Sequence, residues 1–319
     1  MSPLDRLLPG RIYPRSEIER LGIHPRKLAD GTLLRVFAGC FARADAPPTL
    51  HERARVLQRS IVAGSIISHS TAARLYGFPL PRTMTTCEEV LHCRVPPECS
   101  ARRGRWLSTH PMHPGPTMRW AGLTLSHPLE VLREIAGDLT HVERVMIVDA
   151  IAGGRWCRPL QIQLAELRAM AAETTGRGSA AVREACRDAR ENVWSPQETR
   201  TRLMLLDEGF AEPVCNAPVV DPDTGVVYRA DVAYPELRIA IEYDGKVEHM
   251  TRTQWANDLH KNEVLHRLGW TVLRISAEDL LRPRLFLARL RAAMARGEKS
   301  LSSTNGTASM TEGDWRLAR

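Results

Sequence analysis

Residues 229–250, "RADVAYPELRIAIEYDGKVEHM", alternate apolar and polar side chains on either side of a Pro-Glu pair. A period of two over this length predicts a half-buried β-hairpin. Yet Asp231, Glu242 and Asp244 sit inside it, and a carboxylate in such a place is costly unless something pairs with it. On the second strand Leu237, Ile239, Ile241 and Tyr243 share one face. Arg238, Ala240, Glu242 and Asp244 share the other. The turn at Pro235 and Glu236 folds the first strand back and brings Asp231 to the same end. Three acids on one face repel one another strongly. A hard divalent cation, Mg²⁺ or Mn²⁺, would gather them, since such ions take oxygen ligands and keep some water. Cross-strand pairing with Arg229, Arg238 or Arg274 would also answer the repulsion. Spacing alone leaves both solutions open.

The flanking sequence supplies a compact α/β frame for this hairpin. "SPQETRTRLMLLDEGF" predicts a helix with Ser195 as N-cap, Pro196 at its first position and Glu198 at its third. "APVV" reads as a short strand and "DPDTG" as a turn. A helix is expected over 253–268, ended by Gly269, and "WTVLRI" as a fourth strand. Ser276 and Asp279 cap a last helix to about residue 296. The expected order is α-β-β-β-α-β-α. Beyond Gly297 the tail lacks periodicity and is expected to be disordered.

The first two thirds are less regular. Residues 12–43 read as a helix-turn-helix with a wing: Ser16 and Glu19 form an S-x-x-E capping box, Gly22 stops the helix, "HPRKLADG" gives a second short helix, and "TLLRVFAGCFAR" a strand pair. Such a unit can place a helix in the major groove. A short helical pair that packs only on its neighbours has the same pattern. Residues 51–165 mix helix and strand, with Ser70 expected to cap a helix over 71–76 that Gly77 ends. No catalytic constellation stands out there. Residues 166–194 read as a helical connector with "ETTGRGSAA" as a hinge. The domains expected are thus 1–50, 51–165, 166–194, 195–297 and a tail, 298–319, in an α/β multidomain chain.

Charge narrows the partners. The chain carries a formal net charge of +7, and only four of its 44 basic residues are lysine. A guanidinium-rich surface suits phosphate backbones. Seven cysteines form no C-x-x-C pair. Cys87, Cys93 and Cys99 near His92 fit no common zinc spacing. The N-terminus is too charged for a signal peptide, and no apolar run is long enough to span a membrane. A soluble cytoplasmic protein with reduced thiols and no membrane partner is expected.

At the acidic hairpin the sequence resembles a known family. "ADVAYPELRIAIEYDGKVEH" followed by "NDLHKNEVLHRLGWTVLRIS" is similar to the DUF559 group. That group is related to the very short patch repair endonucleases of the PD-(D/E)XK superfamily. The likeness covers about residues 190–296 and rests on the pattern D-x10-E-x-D-G-x3-H. More loosely, about residues 11–156, with "GSIISHSTAARLYGFPLP", resemble the AbiEi-type antitoxins of type IV toxin–antitoxin systems, which carry an N-terminal winged helix. "HPLEVLREIA" departs from the Arg-Thr-Leu-Leu-Asp pattern of that family.

The first resemblance implies a restriction endonuclease-like αβββαβ core with Asp231 as main metal ligand, Glu242 as second acid and His249 as acid/base. Asp244 takes the place of the usual E-x-K lysine and would assist as a ligand. Lys246, beyond Gly245, is not that lysine. Glu198 would reach the site from the first helix, although its capping role explains it equally well. Gln254, Lys261 and Lys246, with Arg26 and Lys27 in the N-terminal module, are candidate nucleic-acid contacts. Gln254 and Lys261 fit a solvated helix surface as well. The function expected is a Mg²⁺-dependent DNA endonuclease or nickase. The alternative is a non-catalytic DNA-binding regulator of the antitoxin kind, with a toxin or operon partner. An RNA substrate, the DNA preference and the oligomeric state are not settled by the sequence.

Overall fold

The computed structural model describes residues 6–23, 31–85, 90–96, 99, 104–154, 157, 160–245 and 252–304, with side chains described from Asp258 onward in the helix over 252–267 and up to Lys299 in the helix over 284–304. The chain divides into two compact units, Met1–Asp188 and Ala189–Arg319. The described residues form a mixed α/β protein with three sheets. Among the described residues no helix is long and apolar enough to cross a membrane.

The first unit opens with β1 (Tyr13–Pro14), α1 (Arg15–Arg20), β2 (Leu33–Phe37) and β3 (Cys40–Arg43). The three strands pair antiparallel in the order β1-β3-β2. Leu7, Tyr13, Ile18, Ile23, Leu33 and Phe41 form their shared core. The expected strand pair is present as the β2–β3 hairpin. The expected Ser16–Glu19 capping box is not: α1 starts one residue before Ser16, Pro14 stands at its N-cap, and Glu19 pairs with Arg15 at 2.8 Å. Pro14 holds an extended backbone with φ −68° and sets the start without a side-chain cap. The second expected helix, with Arg26 and Lys27, lies outside the described residues.

Next come α2 (Leu50–Val56), which runs into a π-turn over Leu57–Ile61, then β4 (Ile66–Ile67), α3 (His69–Tyr76), α4 (Arg82–Thr85), β5 (Leu91–Val95), β6 (Leu107–Pro111), β7 (Thr117–Trp120) and β8 (Leu123–Ser126). A mixed five-stranded sheet runs β6-β5-β4-β8-β7, with β5–β6 and β4–β8 parallel. The helix after β4 begins at His69, not at Thr71, so Ser70 is inside it and does not cap it; Gly77 ends it at φ 76° as expected. Helices α5 (Pro128–Ile135), α6 (His141–Gly153), α7 (Leu164–Glu173) and α8 (Ser179–Asp188) complete the unit. The segment read as a connector holds α7 and α8, which pack on α5 and α6 as part of this unit. Leu167, Ala171, Val182 and Ala185 are buried there, which a linker would not require. The "ETTGRGSAA" stretch does break the helix, and Gly178 in it has φ +87° with a Cβ position 2.4 Å from the Arg133 carbonyl oxygen. Gly178→Ala is therefore expected to lower stability by at least about 2 kcal/mol, read as a drop in the thermal midpoint.

The second unit contains α9 (Pro196–Asp207), β9 (Val214–Val220), β10 (Val227–Tyr234), β11 (Ile239–Tyr243), α10 (Arg252–Arg267), β12 (Thr271–Ile275), α11 (Ala277–Leu281) and α12 (Arg284–Thr304). The order matches the sequence expectation except that the last helix is broken at Arg282 and Pro283. It also continues to Thr304, into a stretch expected to be disordered. The sheet runs β12-β11-β10-β9, antiparallel except for β11–β12. One face carries Val232, Tyr234, Ile239 and Ile241 with Leu205 of α9 and Phe286, Leu287 and Leu290 of α12. The other face is built of small residues, Ala217, Ala230, Ala233 and Ala240, packed with Leu265 of α10. Small side chains on that face let α10 lie close to the strand that bears Glu242.

Candidate metal and phosphate site

The β10–β11 ladder pairs Val232 with Ile241 and Ala233 with Ala240. Continued by one step, this register sets Asp231 opposite Glu242. Asp231 departs from the ladder there. Its Oδ2 accepts the Tyr243 backbone N–H at 3.0 Å, so the side chain takes the place of a main-chain acceptor. Ala230 and Ala233, an odd number of residues apart, lie in one cluster, so the strand's alternation slips at Asp231. Asn216 on the neighbouring strand β9 has φ +51°, a second sign of the irregularity.

Glu242 shares its face with Ala240, as the alternation predicts, and is only 4% exposed. Its Oε2 lies 2.5 Å from Lys261 Nζ, and Lys261 Nζ stands 4.0 Å from Asp231 Oδ1. Its other oxygen, Oε1, is buried with no hydrogen-bond partner among the described residues. Burial first, and then the charge of Asp231, push the Glu242 carboxyl up to about 7; Lys261 works in the opposite direction.

Glu198 is held at the same place from α9. Ser195 Oγ accepts the Glu198 N–H at 3.2 Å, as expected of the N-cap. The Glu198 carboxylate turns inward: its Oε2 accepts the Trp194 N–H at 2.8 Å and an N–H of the Asn216 amide. Burial pushes Glu198 up to about 7, and the Asp231 charge adds to this rise. Glu198, Asp231 and Glu242 thus act on one another electrostatically, and the residue at the third position of α9 also turns its carboxylate toward the hairpin acids.

The three arginines considered as partners go elsewhere. Arg229 donates to the Asn216 carbonyl at 3.1 Å and stacks over Trp194. Arg238 donates to the Leu268 carbonyl, and Arg274 pairs with Asp258 at 3.3 Å. Among the described residues the cation beside the acids is Lys261, expected as a nucleic-acid contact or a solvated helix residue. It lies four residues before Leu265, whose side chain is fully buried under the sheet. The helical period therefore turns Lys261 inward, a signal that was present in the sequence.

Asp244 does not join the group. It is exposed at the end of β11, where its N–H donates to Ile275 O at 2.8 Å. Among the described residues, a set of three ligand-type side chains converges within 4.8 Å at His113, Glu130 and Glu134 in the first unit, not at Asp231, Glu242 and Asp244. His249 and Lys246 lie outside the described residues, as does the side chain of Gln254.

Asp231 and Glu242 nevertheless suit a hard cation. They offer carboxylate oxygens 4.0 and 2.5 Å from one atom, Lys261 Nζ, and among the described residues the buried Glu242 Oε1 lacks a partner that a cation would supply. No family model matches the chain. The chain is 27% identical over 270 residues to "Uncharacterized protein Rv2248" of Mycobacterium tuberculosis (strain ATCC 25618 / H37Rv), over 85% of this chain and 94% of that protein. The same figures hold for "Uncharacterized protein MT2308" of Mycobacterium tuberculosis (strain CDC 1551 / Oshkosh).

Proposed function

We propose that this protein is a metal-dependent DNA endonuclease or nickase whose phosphodiester-cleaving site is Asp231, Glu242 and Lys261, with Glu198 beside them. The observation that carries this reading is the contact of Lys261 with both acids, at 2.5 Å and 4.0 Å. A lysine from α10 here stands in for the one that β11 lacks at Asp244. Asp231 and Glu242 would hold Mg²⁺ or Mn²⁺, which supplies Lewis-acid stabilisation of the phosphoryl oxygens and activates water. Lys261 would orient the attacking water and carry positive charge toward the phosphate. Water attacks phosphorus, the ester P–O bond breaks, and the leaving oxygen takes a proton. The three-stranded sheet with α1 in the first unit is the part that would dock on DNA as a winged helix. Cytoplasmic residence fits this role.

Supercoiled plasmid with Mg²⁺ or Mn²⁺ tests the reading. Nicking or linearisation is expected from the wild type, with Asp231→Asn and Glu242→Gln slower by at least about 10³-fold. No cleavage under either metal, with sequence-specific DNA binding intact, would instead favour the regulator reading, which rests on Asp244 in the lysine position of β11. Equal cleavage by both variants would remove the site assignment.

The state of Glu242 gives a pH prediction. Its carboxyl, pushed up to about 7, is largely protonated below that value, whereas metal capture needs the carboxylate. Capture below pH 7 must therefore release a proton. Mn²⁺ affinity is expected to be greatest above pH 7 and to weaken by up to about tenfold per pH unit below it. Calorimetric titration in buffers of different ionisation enthalpy measures both the affinity and the proton release.

A further inference from the structure

The first unit carries a half-open cavity of about 710 Å³, a size common for small-molecule sites. His69, His110 and His113 line one part of it, and Arg133, Arg144 and Arg177 another. We propose that this cavity binds a phosphate monoester of up to nucleotide size, the phosphate being held by Arg177 before α8 together with Arg144 of α6 and Arg133 of α5. The ester is either a free nucleotide or the 5′ end of a strand.

Three independent features point to an anion. First, the cations outnumber the acids on the wall. Glu134 and Asp138 are the carboxylates there. Glu134 is spent on the His69 N–H at 2.8 Å and the Ser126 hydroxyl at 3.0 Å. Arg177 forms no ion pair among the described residues, while its carbonyl accepts from Arg133 Nη1 at 2.8 Å. Arg144 donates from Nη1 to the Ala136 and Leu139 carbonyls, and its Nε is buried without a hydrogen-bond partner. Second, Gly178 and Ala181 place the N-terminus of the ten-residue helix α8 on the cavity wall. The positive end of a helix dipole favours negative charge. Third, the wall stores strain: His69 has φ +49°, and its ring stacks on His110 at 3.6 Å. Such strain in a non-glycine residue is concentrated at ligand sites.

A cation fits less well, although His113, Glu130 and Glu134 converge within 4.8 Å. Glu130 is already gripped by Arg133 at 2.6 Å. Arg94, with no exposed surface, lies 3.8 Å from Glu130 and 3.5 Å from Glu134. A divalent ion would share those oxygens with two guanidinium groups and be repelled by both.

Calorimetric titration of the full chain tests the proposal. The probes are inorganic phosphate, adenosine 5′-monophosphate, and an octanucleotide with and without a 5′-phosphate. One saturable site for the monophosphate, displaced by inorganic phosphate, is expected. Arg177→Gln and Arg144→Gln should each weaken it by about 10- to 100-fold, the loss of a charge-assisted hydrogen bond. The thermal midpoint of Arg177→Gln should stay unchanged, since that side chain is exposed. Preference for the 5′-phosphorylated octanucleotide over the monophosphate would mark a strand end as the source, and the reverse a free nucleotide. Asp231→Asn should leave this binding intact, which separates it from the nuclease reading. No saturable binding of any probe, or binding unaltered by both arginine variants, overturns the proposal. So does tight Zn²⁺ binding lost in His113→Ala without any phosphate binding.

Discussion

Lys261→Met is expected to slow single-turnover DNA cleavage by about 10²–10³-fold, comparable to removing one preorganised electrostatic group from a site of charge development. At pH 8 Mn²⁺ binding should be retained, because the substitution removes a cation that competes for Glu242 Oε2 at 2.5 Å, which offsets the further rise in the Glu242 pKa when Lys261 is lost. The fold should tolerate the change. Glu242 already sits near about 7 and can take up a proton when its partner is lost. Lys261→Arg should recover part of the rate. A residue that merely neutralised a buried acid would give the opposite pattern, with the melting temperature lowered and the rate per folded molecule unchanged.

Arg94→Leu is expected to destabilise the first unit by about 3–5 kcal/mol, the usual cost of removing one member of a buried charged set. Arg94 is completely buried and reaches Glu130, Glu134 and His113 at 3.8, 3.5 and 3.2 Å. Without it, Glu134 loses its guanidinium, and Glu130 keeps Arg133 at 2.6 Å and the His113 ring at 3.4 Å. Thermal scanning of the full chain should show one unfolding transition moved down while that of the second unit stays in place. Adding Glu134→Gln should restore part of the loss, because the orphaned charge is then gone. A loss below about 1 kcal/mol would contradict the assignment of Arg94 as the cation that holds this cluster together.

The second unit was legible because its signals are local. Alternation fixes which residues of β11 share a face, so Glu242 could be placed before any coordinates. Gly269 and the Ser276–Asp279 capping box mark element ends within a few residues of themselves. Asp231 was harder, since its position depends on a slip in β10 that pairs with the positive φ of Asn216. Lys261 was read as a surface residue because phosphate contact and inward pairing both suit a lysine on α10. Its spacing from Leu265 was the discriminating signal.

The first unit was far less legible. Its cavity gathers His69 from the start of α3, His110 from β6, Glu134 from α5 and Arg177 from the turn before α8. More than 100 residues separate the first from the last, and no motif spans them. Its assembly depends on the mixed sheet, where β4 pairs in parallel with β8 across a long connection. Such pairings leave little trace in local pattern. The capping expectations at Ser16 and Ser70 failed for a related reason. In each case the helix begins earlier, where the backbone is fixed by a neighbouring contact: Arg15 N–H to Gly39 O, and His69 N–H to Glu134.

The central claim is that the acidic hairpin is a metal cradle served by a lysine from the next helix. Titration of Mn²⁺ into the full chain at pH 8, with free Mn²⁺ read by electron paramagnetic resonance, tests it most directly. One site per chain is expected in the wild type, retained in Lys261→Met and lost in both Asp231→Asn and Glu242→Gln. The same Mn²⁺ binding in Glu242→Gln as in the wild type, or no site in the wild type, would contradict it.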